Sequence, residues 1–165
     1  MKVRLVLADT GRALGAAVNL LNAGWTATTA VPIPEGGWTL PGQALAVFLE
    51  TPWDQLNKPY PLKMELVDDE DKLVHFAGPE GVGDEVSINH VVMVQPVPGA
   101  PDGSPGLATV LVDLPAGTLR IPAPRCRYVW RVTVGEDRAA GDELGFWVNA
   151  TAQLPMVSGL PFMPS

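Results

Sequence analysis

The sequence has one cysteine, Cys126, so no disulfide can form within the chain. Neither a histidine nor an acid lies near it in sequence to activate the thiol, and its place before Tyr128-Val129-Trp130 reads as a small, half-buried strand residue. Basic residues are also scarce: 11 Lys and Arg stand against 18 Asp and Glu, a net charge of -7. This excludes nucleic acid as a partner, because phosphate binding needs a clustered Lys/Arg surface. The one local basic group is Arg120, Arg125, Arg127 and Arg131. Two of these flank Cys126, so the group reads as a solvated sheet face. Long apolar runs are missing too. No stretch approaches the roughly 18 residues of a membrane span, and the short run after Met1-Lys2-Val3-Arg4 is broken by Asp9, unlike a secretory leader. The expected location is the cytoplasm where the chain is made, or a virion that it enters. The sequon Asn149-Ala150-Thr151 is set aside for the same reason.

Helical periodicity is absent as well. Gly and Pro number 17 each and recur throughout, and helix interiors tolerate neither. The best helical candidate, Arg12 to Ala23, is bracketed by Gly15 and Gly24, and its Val18-Asn19-Leu20-Leu21 reads better as a strand.

What is there is β-patterned. Lys2 to Leu7 begins with alternating charged and apolar residues, and Leu62-Lys63-Met64-Glu65-Leu66-Val67 alternates cleanly. Gln43 to Glu50 is a continuous apolar run between Gly42 and Pro52. Lys72 to Phe76 follows the polar break Asp68-Asp69-Glu70-Asp71, which predicts a hairpin with 62–67. Val86 to Val97 is long and β-branched. A loop follows over 98–106, then a strand over Leu107 to Leu114 and a short edge strand over Thr118 to Ile121. Cys126 to Val134 and Glu143 to Ala150 make a last hairpin. Such spacing predicts an antiparallel β-sandwich of about eight to ten strands over residues 1–151, since no helix is long enough to cover a sheet. In it, Trp130 and Trp147 are expected in the core.

Residues 152–165 break the pattern. They carry no charged side chain and three prolines, yet include Leu154, Met156, Val157, Leu160, Phe162 and Met163. Disordered tails are usually polar or charged. The segment therefore reads as an extended apolar arm that docks, either on its own domain or on a neighbouring subunit.

The inventory for chemistry is thin. His75 and His90 sit among apolar strand residues, and neither has a second ligand at i±2 to build a metal site. There is no Gly-x-Ser-x-Gly, and no glycine-rich phosphate loop with its lysine. The acidic turn 68–71 lacks the alternating ligand spacing and glycine of a calcium loop, and reads as a solvated turn. No catalytic residue, metal or cofactor is assigned. Trp25 and Trp38 follow glycine-containing turns and Trp53 follows Pro52, which places these three half-exposed, as a binding face or as rim packing.

Val6-Leu7-Ala8-Asp9, Asn19-Leu20-Leu21-Asn22-Ala23-Gly24-Trp25, Pro52-Trp53-Asp54 and Tyr128-Val129-Trp130-Arg131 occur in this order. With these motifs the chain resembles, over residues 1–150, an uncharacterised family of small Ig-like sandwich proteins of actinobacteria and their phages. The resemblance implies an Ig-like fold and such a source. It carries no functional residues, because the family has no assigned activity. The expectation is a non-enzymatic structural subunit contacting other protein subunits as a homo-oligomer or larger assembly, with a phage capsid-decoration or tail protein as its setting. The alternative is a binding module for a small molecule or sugar lined by Trp25, Trp38 and Trp53.

Overall fold

Alternating apolar residues at period two recur along the chain, and each run becomes a strand whose apolar side turns inward. The computed structural model describes residues 1–14, 17–34, 36–78, 81–124, 126–135 and 140–151. The arm residues Leu154, Met156, Val157, Leu160, Phe162 and Met163 lie outside them. Among the described residues the strands are β1 (Lys2–Ala8), β2 (Thr10–Leu14), β3 (Ala17–Leu21), β4 (Ala27–Pro32), β5 (Trp38–Thr39), β6 (Gln43–Thr51), β7 (Pro59–Val67), β8 (His75–Gly78), β9 (Gly81–Glu85), β10 (Ser87–Met93), β11 (Gly106–Leu114), β12 (Leu119–Ile121), β13 (Arg127–Val134) and β14 (Ala140–Ala150). One turn of 3-10 helix, Trp53–Gln55, is the sole helical element among them.

Two sheets form the sandwich. One is β1-β6-β11, antiparallel throughout. The other is built on β10-β7-β13-β14 and continues through β4, β5, β12, β8 and β9. Of the seven long strands, the first, second and fifth share one layer and the third, fourth, sixth and seventh share the other. A constant-type immunoglobulin domain keeps its fourth strand beside the fifth. Here that strand, β10, has crossed to lie beside the third, β7. Leu45, Val47 and Leu49 of β6 face Leu62, Met64, Leu66, Tyr128, Trp130, Val132, Phe146 and Val148, all fully or almost fully buried.

The hairpin β2–β3 adds a third layer. It lies on the outer side of β6 and β11, where Gly11 comes so close to Leu111 that a Cβ would stand 2.7 Å from its Cδ1. Ala44 and Ala46 are consequently buried on that side, while Leu45 and Val47 are buried on the other. A strand covered on both faces reads as a continuous apolar run, and Gln43 to Glu50 is such a run. The preference for a strand within 12–23 is met by this hairpin.

The expected hairpin between 62–67 and 72–76 is corrected. Only Val67 and Leu73 form a bridge. Leu66 then acts as a branch point: its carbonyl accepts from Val74 N–H (2.9 Å), its N–H donates to Val86 (3.2 Å), and Val86 N–H donates to Val74 (2.7 Å). There the chain leaves β7, makes β8 and β9, and returns as β10. Thr118 to Ile121 is likewise not an edge strand, since β12 pairs with β5 on one side and β8 on the other. The long strand expected over 86–97 ends at Met93.

Tyr128, at the start of β13, locks the upper end of the sandwich. Its ring is fully buried beside Phe146 (centroids 6.1 Å apart), which meets Trp25 edge-on at 5.4 Å. Its hydroxyl donates to the Ala123 carbonyl at 2.8 Å, tying the proline-bounded connection Pro122–Pro124 onto the core. Such back-bonding corners recur in Ig-like sandwiches.

Two outcomes follow. Burial raises the Tyr128 phenol well above its ordinary value, so above about pH 10 the unfolded chain ionises this group and the folded chain does not. Its contribution is complete below that pH and declines as pH rises. Tyr128→Phe is expected to lower stability by about 1 kcal/mol at neutral pH and to flatten the alkaline decline of Tm, measured by thermal melts from neutral to alkaline pH. At Gly106 a Cβ would stand 2.6 Å from the Gln95 carbonyl and overlap the Leu56 side chain. Gly106→Ala is expected to cost roughly 1–3 kcal/mol in urea denaturation, and an unchanged midpoint would show that this crossing has slack.

Candidate interaction surface

The solvent side of β10-β7-β13-β14 carries the residues of opposite parity to the core. Across its upper half ion pairs lie beside Val129 and Trp147. Arg131 donates from Nε to Glu143 (2.7 Å) and from an Nη to Asp71 (2.9 Å), and Lys63 pairs with Glu65 at 2.7 Å. Arg127 lies over Gly145 and stands opposite Trp147 in register. The expected solvated arginine face is thus formed by Arg127 and Arg131, while Arg120 sits apart on β12 and Arg125 lies outside the described residues. Trp147, expected in the core, is 56% exposed. It alternates with buried Phe146 and Val148, so the period of two puts it outside.

The lower half is different. Pro59 and Pro61 of β7 stand opposite Met93 and Val91 of β10. Val91 is 63% and Met93 52% exposed. A shallow, open hollow of about 570 Å³ runs here between Pro61, Asn89, Val91 and Thr133, with Lys63 at its upper margin between Asn89 and Thr133.

β10 is also a sheet edge, since its only strand partner among the described residues is β7. The reason it is bare lies in the layer widths. Three strands face four, and β1 packs on β14 at the other side, where Leu5 N–H reaches Asp142 at 3.1 Å. Cover therefore fails toward β10. His90 pairs with buried Leu62 and shares its inward parity, yet it is exposed. Ile88 is only half-buried. Exposed edges are normally guarded by Lys, Pro, bulges or covering segments. β1 carries Lys2 and Arg4, β9 carries Asp84 and Glu85, and the β11 edge carries Asp113. Ser-Ile-Asn-His-Val-Val-Met of β10 has no such guard.

The tryptophans singled out from the sequence do not gather. Trp25 and Trp38 are partly buried against the core, Trp25 at the edge of Phe146 and Trp38 opposite Ile121. Trp53 is exposed on the 3-10 turn beyond the lower end of β6, at the opposite end from Trp38. His75 lies in a hollow of about 310 Å³ near Asp68, Lys72 and Arg120, with Nδ1 3.1 Å from the Gly83 carbonyl. No ion pair involves either histidine among the described residues. In the acidic turn, Asp68 accepts from Glu70 and Lys72 N–H groups at 2.9 Å each, and Asp71 is held by Arg131. The Asp68 carboxylate thus closes the turn that leads to Lys72. Burial pushes the Cys126 thiol above its ordinary value, away from thiolate reactivity.

No family model, curated protein or solved structure matches the chain. No helix among the described residues is long and apolar enough to cross a membrane.

The bare edge was the feature that sequence reasoning missed. Its local signal was present: Val91 to Met93 is apolar on both parities, and Ser87 to Met93 carries no Lys, Arg, Asp, Glu or proline. Only the sheet order, however, tells an edge strand from a central one.

Proposed function

We propose that this chain is a non-enzymatic structural subunit that joins copies of itself into a larger protein assembly. The observation that carries the reading is the unguarded edge of β10, with Val91 and Met93 exposed beside Pro59 and Pro61. An open strand edge offers backbone donors and acceptors to a further strand, and apolar side chains beside it supply area to bury. The net charge of -7 keeps free subunits apart in solution until specific contacts overcome the repulsion. A phage particle, with the chain as capsid-decoration or tail component, is the setting that the short motifs of the opening residues, Pro52-Trp53-Asp54 and Tyr128 to Arg131 favour.

Lysines at the edge test this reading directly. Val91→Lys with Met93→Lys places two guarding charges on exposed positions, where substitutions change stability by only about 0.5 kcal/mol. The wild-type chain is expected to self-associate in light scattering, and the double variant to run as a monomer with an unaltered Tm. A wild-type chain that stays monomeric across its soluble range would sink the proposal.

A further inference from the structure

The bare edge and residues 152–165 fit one another in a way that neither does alone. In an extended strand the N–H and C=O of one residue point to one side and those of the next to the other. The segment contains Pro155 and Pro161, both at odd positions, so both missing N–H groups fall on the same side. The even positions Leu154, Met156, Ser158, Leu160 and Phe162 all keep their N–H. From 154 to 162 the segment can thus present one complete hydrogen-bonding side, and Pro164 ends it. The same even residues place Leu154, Met156, Leu160 and Phe162 on one face. Neither the segment nor β10 carries a Lys, Arg, Asp or Glu, so joining them strips no charge of its water.

The root of the segment indicates whose edge it meets. Thr151 is fastened to β4: its N–H and hydroxyl both donate to the Ala30 carbonyl, at 3.2 and 2.5 Å. β4 lies on the far side of β14 from β10. To reach its own β10 the chain would have to turn back over β13 and β7, across the charged turn of Asp68, Glu70, Asp71 and Lys72. It would then run parallel to β10, because β14 ends at the level where β10 begins, and parallel ladders are the less stable kind. A neighbour's edge imposes neither demand.

We propose that residues 154–162 of one copy add as an antiparallel strand to the free edge of β10 in a neighbouring copy. This rests on the assembly reading above and names its contact. Proline placement reads it out in the full chain. Ser158→Pro removes an N–H from the pairing side, whereas Gly159→Pro adds a third proline to the side that already has two. Light scattering and hydrogen exchange at the β10 amides that face away from β7, those of Asn89, Val91 and Met93, are measured on wild type and both variants.

Ser158→Pro is expected to weaken association about ten-fold or more and to release the protection of the β10 amides. Gly159→Pro is expected to change neither, with Tm equal in all three. If the wild type assembles but both variants or neither lose assembly, strand addition is overturned while the assembly reading stands. A monomer whose β10 amides are protected until Ser158→Pro is introduced would show docking on the segment's own domain and overturn the contact between copies. A monomer with unprotected β10 amides overturns both.

Discussion

The constraint on which this molecule turns is that a three-stranded layer cannot cover a four-stranded one. Each β-layer here is apolar on its inner face and must bury it. Seating β1 on β14 satisfies one side of the sandwich and moves the deficit to the other. There β10 projects past its cover, with His90 in an inward position yet exposed and Ile88 half-buried. Had the fourth long strand stayed beside β11, the layers would be four and three the other way round, and a different edge would be bare. The crossing of β10 to β7 thus determines which strand becomes the uncharged, proline-free edge.

That crossing is prepared at Leu66. Its N–H and C=O, facing away from β13, are shared between Val86 and Val74 rather than given to one partner strand. The chain between those residues is free to leave β7, and it builds β8 and β9 beside β12 before returning as β10. With β4 and β5 these strands extend the sheet around the upper end, next to the Tyr128–Phe146–Trp25 stack. The upper end is consequently dense with ion pairs and aromatic contacts. The lower half of the outer face keeps prolines, Thr133, Val91 and Met93, with Lys63 at its upper margin. The asymmetry of the surface follows from the topology, and the proposed contact lies where that topology leaves backbone unsatisfied.

Much of this was legible in the residues. Period-two alternation in Leu62 to Val67 and in Tyr128 to Val134 gives strands with the correct buried parity. The strand preference for Val18 to Leu21 also agrees with the structure. Pairing was less legible, because alternation states which side of a strand is apolar and not which strand lies beside it. Lys72 to Phe76 looks like the partner of 62–67 across a four-residue acidic turn, but after one bridge the chain departs. Ala27 to Pro32, Trp38-Thr39 and Gly81 to Glu85 were missed as strands, since Thr, Pro and Gly weaken the pattern and neighbouring strands supply the stability instead. Trp147 was misplaced because size was weighed above parity. The candidate edge was invisible for the same reason as the pairing: edge and centre differ in neighbours, not in composition.

An unguarded edge raises the question of what stops addition once it begins, since strand stacking without a terminator runs on to fibres. The prolines of the segment answer it. A strand placed against β10 through its even positions turns Pro155 and Pro161 outward, and an edge lacking two N–H groups is a poor template for another strand. In the proposed contact each β10 would take one strand and be closed by it. Growth beyond a pair would then proceed only because each copy carries both an edge and a segment, the latter rooted at Thr151 across β14 from β10. Such a head-to-tail contact closes into a ring or continues as a helical array, according to the rotation between copies. On the proposed contact, the guard missing from β10 is carried by the prolines of the segment.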